Sequence, residues 1–185
     1  KPGSVGFPIP GMAVKIVDDD GNEMPRGSEG EIICKGPIVT RGYLNKPKET
    51  AEAIKNGWLH TGDLGKFDED GELYITGRKK DLIIKGGENI DPGVAEGWLY
   101  KHPAVLECAV IAIPDEKYGE EVGAAVVLKP GQKATEEELL VYLGEKLHQF
   151  VVPKKIFFMD ALPKTGLGKI LKREIRRIIK ERMQA

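Results

Sequence analysis

The dipeptide Asp70-Gly71 lies in LGKFDEDGELYITGR, between two runs that alternate apolar and polar residues. Alternation of that kind predicts half-buried strands, and a tight turn between them needs positive φ angles, which Asp-Gly supplies. The stretch therefore commits this part of the chain to antiparallel sheet. Its upstream neighbours agree. MAVKIVDDDGNEMP reads as a strand ending at an Asp20-Gly21 turn, with Pro25 closing it. GEIICKG reads as an apolar strand. GYLNKPKETAEAIKNGWLH reads as a loop and a short helix over Lys48 to Ile54, stopped at Asn56-Gly57. Up to Arg78 the pattern suits a small antiparallel barrel or sandwich.

After Arg78 the periodicity changes. KKDLIIKGGENI predicts a strand pair around Gly86-Gly87, and Asp91-Pro92 a helix start, because proline suits the first helical turn. AVLECAVIAIPD and VGAAVVLKPG are near-continuous apolar runs, read as buried strands. Thr135 and Glu138 have capping-box spacing ahead of Leu139, Leu140, Leu143 and Leu147, which recur at a helical period. KKIFFMD predicts a further strand and KILKREIRRIIKERM a final amphipathic helix. Hairpins followed by strand-helix alternation define an α+β chain in two parts, residues 1–78 and 79–185. The join falls in the charged run GRKKD, which by composition alone is equally a polar turn.

Lys and Arg number 28 against 29 Asp and Glu, so no global positive field favours nucleic acid. No apolar run approaches the roughly 18 residues of a membrane span, and the opening KPGSVGFPIPG carries no signal-peptide core. Cys34 and Cys108 lie far apart in apolar segments, which predicts buried free thiols and a reducing, cytoplasmic setting. The three histidines lack metal-ligand spacing. His102, before Pro103, reads as a helix end.

Lys169, in LPKTGLGKI, has the look of a phosphate-loop lysine. However, Pro163 occupies the early-glycine position and Ile170 follows the lysine, so two required residues fail. Eight basic residues lie between Lys164 and Arg182 against Glu174 and Glu181. Without interleaved aromatics they read as a solvated helix face rather than a base-stacking surface. Lys169 is then either one more solvated lysine, which the local pattern favours, or a single placed cation on a glycine-flanked loop, suited to developing negative charge. Asp63, in GWLHTGDLG, is either a turn cap or an acceptor for a ribose diol. Arg78, at the end of the hairpin, is either a surface ion pair or a donor to the same sugar or a phosphate. Gly86-Gly87 are either a plain turn or a loop that approaches an extended ligand closely.

In order, GWLHTGDLG, GELYITGRKKDLIIKGGENIDP and LPKTGLGKI resemble the adenylate-forming superfamily of acyl-CoA synthetases, luciferases and peptide-synthetase adenylation domains. The resemblance covers nearly the whole chain, and GRKKDLIIKGGENI is most similar to the fatty-acyl-CoA ligase branch. It implies a β-barrel subdomain that ends a large N-terminal domain, then a mobile α+β lid domain. Asp63 and Arg78 are then the ribose contacts of ATP, and Asp81 is the hinge. Lys169 orients carboxylate and ATP during adenylation, and Gly86 and Gly87 line the CoA path during thioester formation. ATP and CoA are the implied cosubstrates. Mg is expected with ligands elsewhere in the enzyme, as are the phosphate-gripping loop and the acyl pocket.

The resemblance thus implies a fragment that is inactive without its N-terminal domain and that partners a small carboxylic acid. Two readings stay open beside it: an enzyme that loads a carrier protein, and a binding module using the basic C-terminal helix. The chain departs from the family at DPGVAEGWLY, where Val94 stands in place of an expected glutamate. Gly93 and Gly97 should each weaken that helix by about 1 kcal/mol relative to alanine.

Overall fold

The computed structural model describes residues 1–184. Contacts divide the chain into two compact units, Lys1–Lys80 and Asp81–Ala185, so the division falls two residues beyond Arg78.

The first unit contains β1 (Ala13–Val17), β2 (Gly30–Lys35), α1 (Pro47–Ala53), β3 (Ile54–Lys55), β4 (Trp58–Phe67) and β5 (Leu73–Arg78). They form a five-stranded antiparallel sheet in which β2 lies between β1 and β4, and β4 also pairs with β3 and β5. Ile16, Val17, Ile32, Ile33 and Leu64 are buried. The β4–β5 turn is longer than an Asp-Gly dipeptide requires. Asp68 N donates to Glu72 O and Gly71 N to Asp68 O, both at 3.0 Å. Gly71 has φ +86° while Asp70 keeps a negative φ. This is a type I turn closed by a left-handed glycine, stapled where the Asp68 carboxylate accepts from Glu72 N at 2.8 Å. Asp18 builds the same device ahead of Gly21, accepting from Asn22 N at 2.8 Å.

The second unit contains β6 (Ile83–Lys85), β7 (Glu88–Ile90), α2 (Pro92–Leu99), β8 (Val105–Asp115), β9 (Gly119–Leu128), α3 (Glu136–Gly144), β10 (Lys155–Phe158) and α4 (Lys172–Gln184). Its sheet runs β10-β9-β6-β7, with β8 also on β9. β10 is parallel to β9, and the other pairs are antiparallel. The unbroken apolar runs of β8 and β9 follow from burial on both faces. Cys108, Val110, Val122 and Val126 point into one core with Ala95 and Leu99 of α2 and Leu139 and Leu143 of α3. Ala109, Ile111, Ala125 and Val127 point into another with Ile175 and Ile179 of α4. Period-two alternation thus sorts each strand between two helical layers.

The capping box forms as its spacing predicts. Glu138 N donates to Thr135 Oγ1 at 3.1 Å and Thr135 N to Glu138 Oε2 at 2.7 Å. Helix α2 forms despite Gly93 and Gly97. Asp91 caps it by accepting from Gly93 N at 2.9 Å, and Ala95 and Leu99 are fully buried. Burying one such leucine is worth about 1.5–3 kcal/mol, which offsets the roughly 2 kcal/mol that the two glycines cost.

Helix α2 also covers the outer edge of the sheet. Among the described residues, β8 pairs with β9 and with no strand on its other side. Val110 N donates to Glu96 Oε1 at 2.7 Å, and Tyr100 Oη to Cys108 O at 3.3 Å. The Lys172 ammonium of α4 lies 2.7 Å from the same Glu96 oxygen. A charged side chain thereby closes an edge that would otherwise offer free backbone groups. Cys108 is buried and free, its thiol pushed up to about 12 by burial. Cys34 is free but only partly buried, against the expectation of two buried thiols. No helix among the described residues is long and apolar enough to cross a membrane.

Candidate active site

In the first unit, the β4–β5 register sets Asp63 opposite Arg78. Arg78 Nε donates to Asp63 Oδ1 at 2.6 Å, with both side chains partly open to solvent. The two residues the sequence reading assigned to one ribose therefore lie side by side, although 15 positions separate them in the chain. Neighbouring groups hold Asp63 in place. Thr61 Oγ1 donates to Ile32 O at 2.7 Å and accepts from Asp63 N at 3.1 Å.

Glu31 extends this support, and sequence reasoning missed it. It is 9% exposed. Its Oε1 accepts from Gly62 N at 3.2 Å, and its Oε2 lies 3.2 Å from His60 Nδ1 and 3.5 Å from Lys79 Nζ. Lys79 is also paired with Asp19 at 2.7 Å. Burial pushes the Glu31 carboxyl up, but His60, Lys79 and the Gly62 amide outweigh it and hold it below the ordinary range. One carboxylate thus grips the residue before Asp63 and the residue after Arg78. The signal available in GEIICKG was a carboxylate at the start of an apolar strand, where a plain edge residue is the simpler reading.

In the second unit, Gly86 and Gly87 form the two-residue tip between β6 and β7, with Lys85 opposite Glu88. Their φ angles of +58° and +90° give a turn with left-handed geometry at both central positions, which side chains resist. A Cβ on Gly86 would lie 3.0 Å from the Tyr118 ring. Asp81 is the first residue of this unit and ends a 3-10 turn over Lys79–Asp81.

Lys169 projects from a stapled loop. Lys164 and Ile170 form an isolated bridge across the neck. Thr165 N donates to Lys169 O at 2.8 Å, Gly168 N to Thr165 O at 2.9 Å, and Lys169 N to Thr165 Oγ1 at 3.1 Å. Gly168 supplies the φ of +82° that the turn needs. The neighbouring Lys164 and Lys172 are committed to Glu107 and Glu96. The Lys169 ammonium has no carboxylate partner within its own unit among the described residues, and its side chain is exposed. It is an available cation on a rigid base. Among the described residues no group of three or more His, Cys, Asp and Glu side chains could hold a metal ion.

This architecture is that of an adenylate-forming enzyme. Over 97% of its length the chain superposes on ATP-bound MatB from Rhodopseudomonas palustris, with a TM-score of 0.91 and 41% identity, covering 36% of that chain. It also superposes on o-succinylbenzoate CoA synthetase (MenE) from Bacillus subtilis in complex with the acyl-adenylate intermediate OSB-AMP. There the TM-score is 0.88 at 39% identity, over 95% of this chain and 36% of that one. Residues 95–169 match the AMP-binding enzyme C-terminal domain, and residues 1–44 match the AMP-binding enzyme model. The chain belongs to the AMP-binding enzymes.

A 2-succinylbenzoate–CoA ligase from Bacillus mycoides (strain KBAB4) is 49% identical over 181 residues, which is 98% of this chain. The chain spans 37% of the length of that relative. These relatives correct the fatty-acyl reading of GRKKDLIIKGGENI, because they are named for a different acid. The physical reason is where the motif sits. Its residues make a strand end, a 3-10 turn and a glycine hairpin, backbone devices that carry no acyl-chain information.

Proposed function

We propose that this chain is the C-terminal part of an ATP-dependent acyl-CoA ligase acting on an aromatic acid of the 2-succinylbenzoate type. In this reading the acid is first joined to AMP with release of pyrophosphate, and the acyl group then passes to the CoA thiol. Asp63 accepts from the ribose hydroxyls, and Arg78 orients that carboxylate and donates to the same sugar. Lys169 supplies positive charge to the carboxylate and α-phosphate as charge builds during adenylation, a kind of stabilisation typically worth roughly 10²–10³ in rate. Gly86-Gly87 replace it for thioester formation, because a tip without side chains leaves room for the pantetheine arm. Asp81, between the units, is the hinge for that exchange.

The observation that carries the reading is the pairing of Asp63 with Arg78 in a chain nearly half identical to CoA ligases. Its test is a full-length protein bearing this sequence, given ATP with either CoA or an acyl carrier protein, and either 2-succinylbenzoate or a straight-chain fatty acid. The expected result is AMP release and CoA thioester formation with the aromatic acid in preference. A preference for the fatty acid, or for the carrier protein as acceptor, overturns it.

A further inference from the structure

Lys85 stands at the base of the Gly86-Gly87 tip and is 7% exposed, an unusual place for an ammonium group. Its Nζ lies 2.5 Å from Glu121 Oε1, itself on a residue 5% exposed. The same Nζ donates to Phe150 O at 3.3 Å and sits 4.6 Å from the Phe150 ring centroid and 5.6 Å from that of Tyr118.

The hairpin needs such an anchor. Its strands are three residues each, and a two-stranded ribbon of that size is marginal by itself. Ile83 and Ile90 fix its open end in the core. At the tip end, β6 meets β9 at one register pair among the described residues, Lys85–Gly119. Gly86 N donates to Tyr118 O at 3.1 Å, and Ile84 N to Glu120 Oε2 at 2.8 Å. A cavity of about 550 Å³ opens beside Lys85, Tyr118, Glu121 and Phe150. On this side the buried ion pair joins those two hydrogen bonds in fixing the tip end.

We infer that Lys85 and Glu121 are positioning residues for the thioester-forming half-reaction, setting where the Gly86-Gly87 tip stands without touching substrate. This rests on the proposed role of that tip. Misplacement of a reacting group by about 1 Å costs on the order of 10²-fold, so a loosened base is kinetically visible.

The test uses the full-length enzyme and separates the half-reactions: AMP-forming adenylation, and thioester formation from supplied acyl-adenylate. Lys85→Met alone strands a buried carboxylate, so the informative variant is the double Lys85→Met/Glu121→Leu, which removes both charges. Glu121 Oε1 also accepts from the buried Val122 N at 2.8 Å, so the double variant should melt somewhat earlier while it keeps its adenylation rate. Thioester formation should fall about 10–100-fold, with faster amide exchange at Gly86 and Gly87. An unchanged thioester rate, or an equal fall in both half-reactions, overturns the inference. Should the double variant fail to fold, Lys85→Arg keeps the charge but changes its geometry. It should lower the ratio of thioester to adenylation rates, and an unchanged ratio counts against the pair. Gly87→Ala, with the anchor intact, reads the tip separately. If thioester formation ignores it, the tip's proposed role fails. Tip exchange in the double variant still reports on the anchor.

Discussion

Asp63 and Arg78 are register partners on adjacent antiparallel strands, and Arg78 Nε reaches Asp63 Oδ1 at 2.6 Å. The arginine therefore orients the aspartate while using one of its roughly four acceptor positions. The remaining positions suit a cis-diol, which presents two hydroxyls to one carboxylate.

Asp63→Ala in the full-length enzyme should raise KM for ATP. A hydrogen bond to a charged group is worth about 1.5–3 kcal/mol, so the rise should be roughly 10- to 100-fold. Initial-rate kinetics at varied ATP would show it, with KM for the acid little changed. An unaltered KM for ATP would remove Asp63 from the nucleotide site.

Lys169→Ala should separate the two half-reactions. Adenylation should fall by about 10²–10³, while thioester formation from supplied acyl-adenylate stays close to wild type. Single-turnover measurement of each step distinguishes this from a structural role, which would lower both equally. The Thr165 staple holds the loop backbone whatever the side chain at 169, so the substitution should not disturb the fold.

Glu96→Ala should open the outer edge of β8. It leaves Val110 N–H and the Lys172 ammonium without their carboxylate, and an unpaired buried donor costs about 1–3 kcal/mol. Amide exchange at Val110 should accelerate and the second unit should melt earlier. Glu96→Gln keeps an acceptor and should be milder. Equal exchange at Val110 in all three proteins would mean the edge is protected otherwise.

Asp115 links pH to stability. The Lys154 ammonium at 2.7 Å and the backbone N–H groups of Tyr118 and Lys117 hold its carboxyl at about 2, below the ordinary 3.8. A depressed folded value means the stabilisation is present above the ordinary value and disappears as pH falls through about 2. The stability difference between wild type and Asp115→Asn should therefore be full near neutral pH and shrink through that acid window. A pH-independent difference, followed by denaturant unfolding, would contradict it.

Several features were legible because they are local. The Thr135–Glu138 capping box depends on residues three apart, and the Gly86-Gly87 tip depends on backbone angles that glycine tolerates. The two-faced burial of β8 and β9 was written in their unbroken apolar runs. The β4–β5 turn was legible in place but not in type. Asp68, two residues before Asp70, bonds across the turn, so Gly71 alone takes the left-handed angle. The weakened α2 was a sound reading of propensity that tertiary burial of Ala95 and Leu99 overrides.

The amino-acid sequence by itself determined the α+β class, most of the element order, where the turns fall, and the residue types offered at positions 63, 78, 86, 87 and 169, although the short strand Ile54–Lys55 follows a helix that the sequence predicts to run through Ile54. Periodicity and dihedral preference act over a few residues, so they can be read along the chain. Tertiary structure alone decided that Asp63 faces Arg78, that Glu31 grips the residues beside both, that Glu96 closes the β8 edge, and that Lys85 is buried against Glu121. Strand register and charge burial are settled by partners 14 to 48 positions away. Such partners exist only once the sheets have formed, because a buried charge is tolerated only where the fold brings its counter-charge within reach.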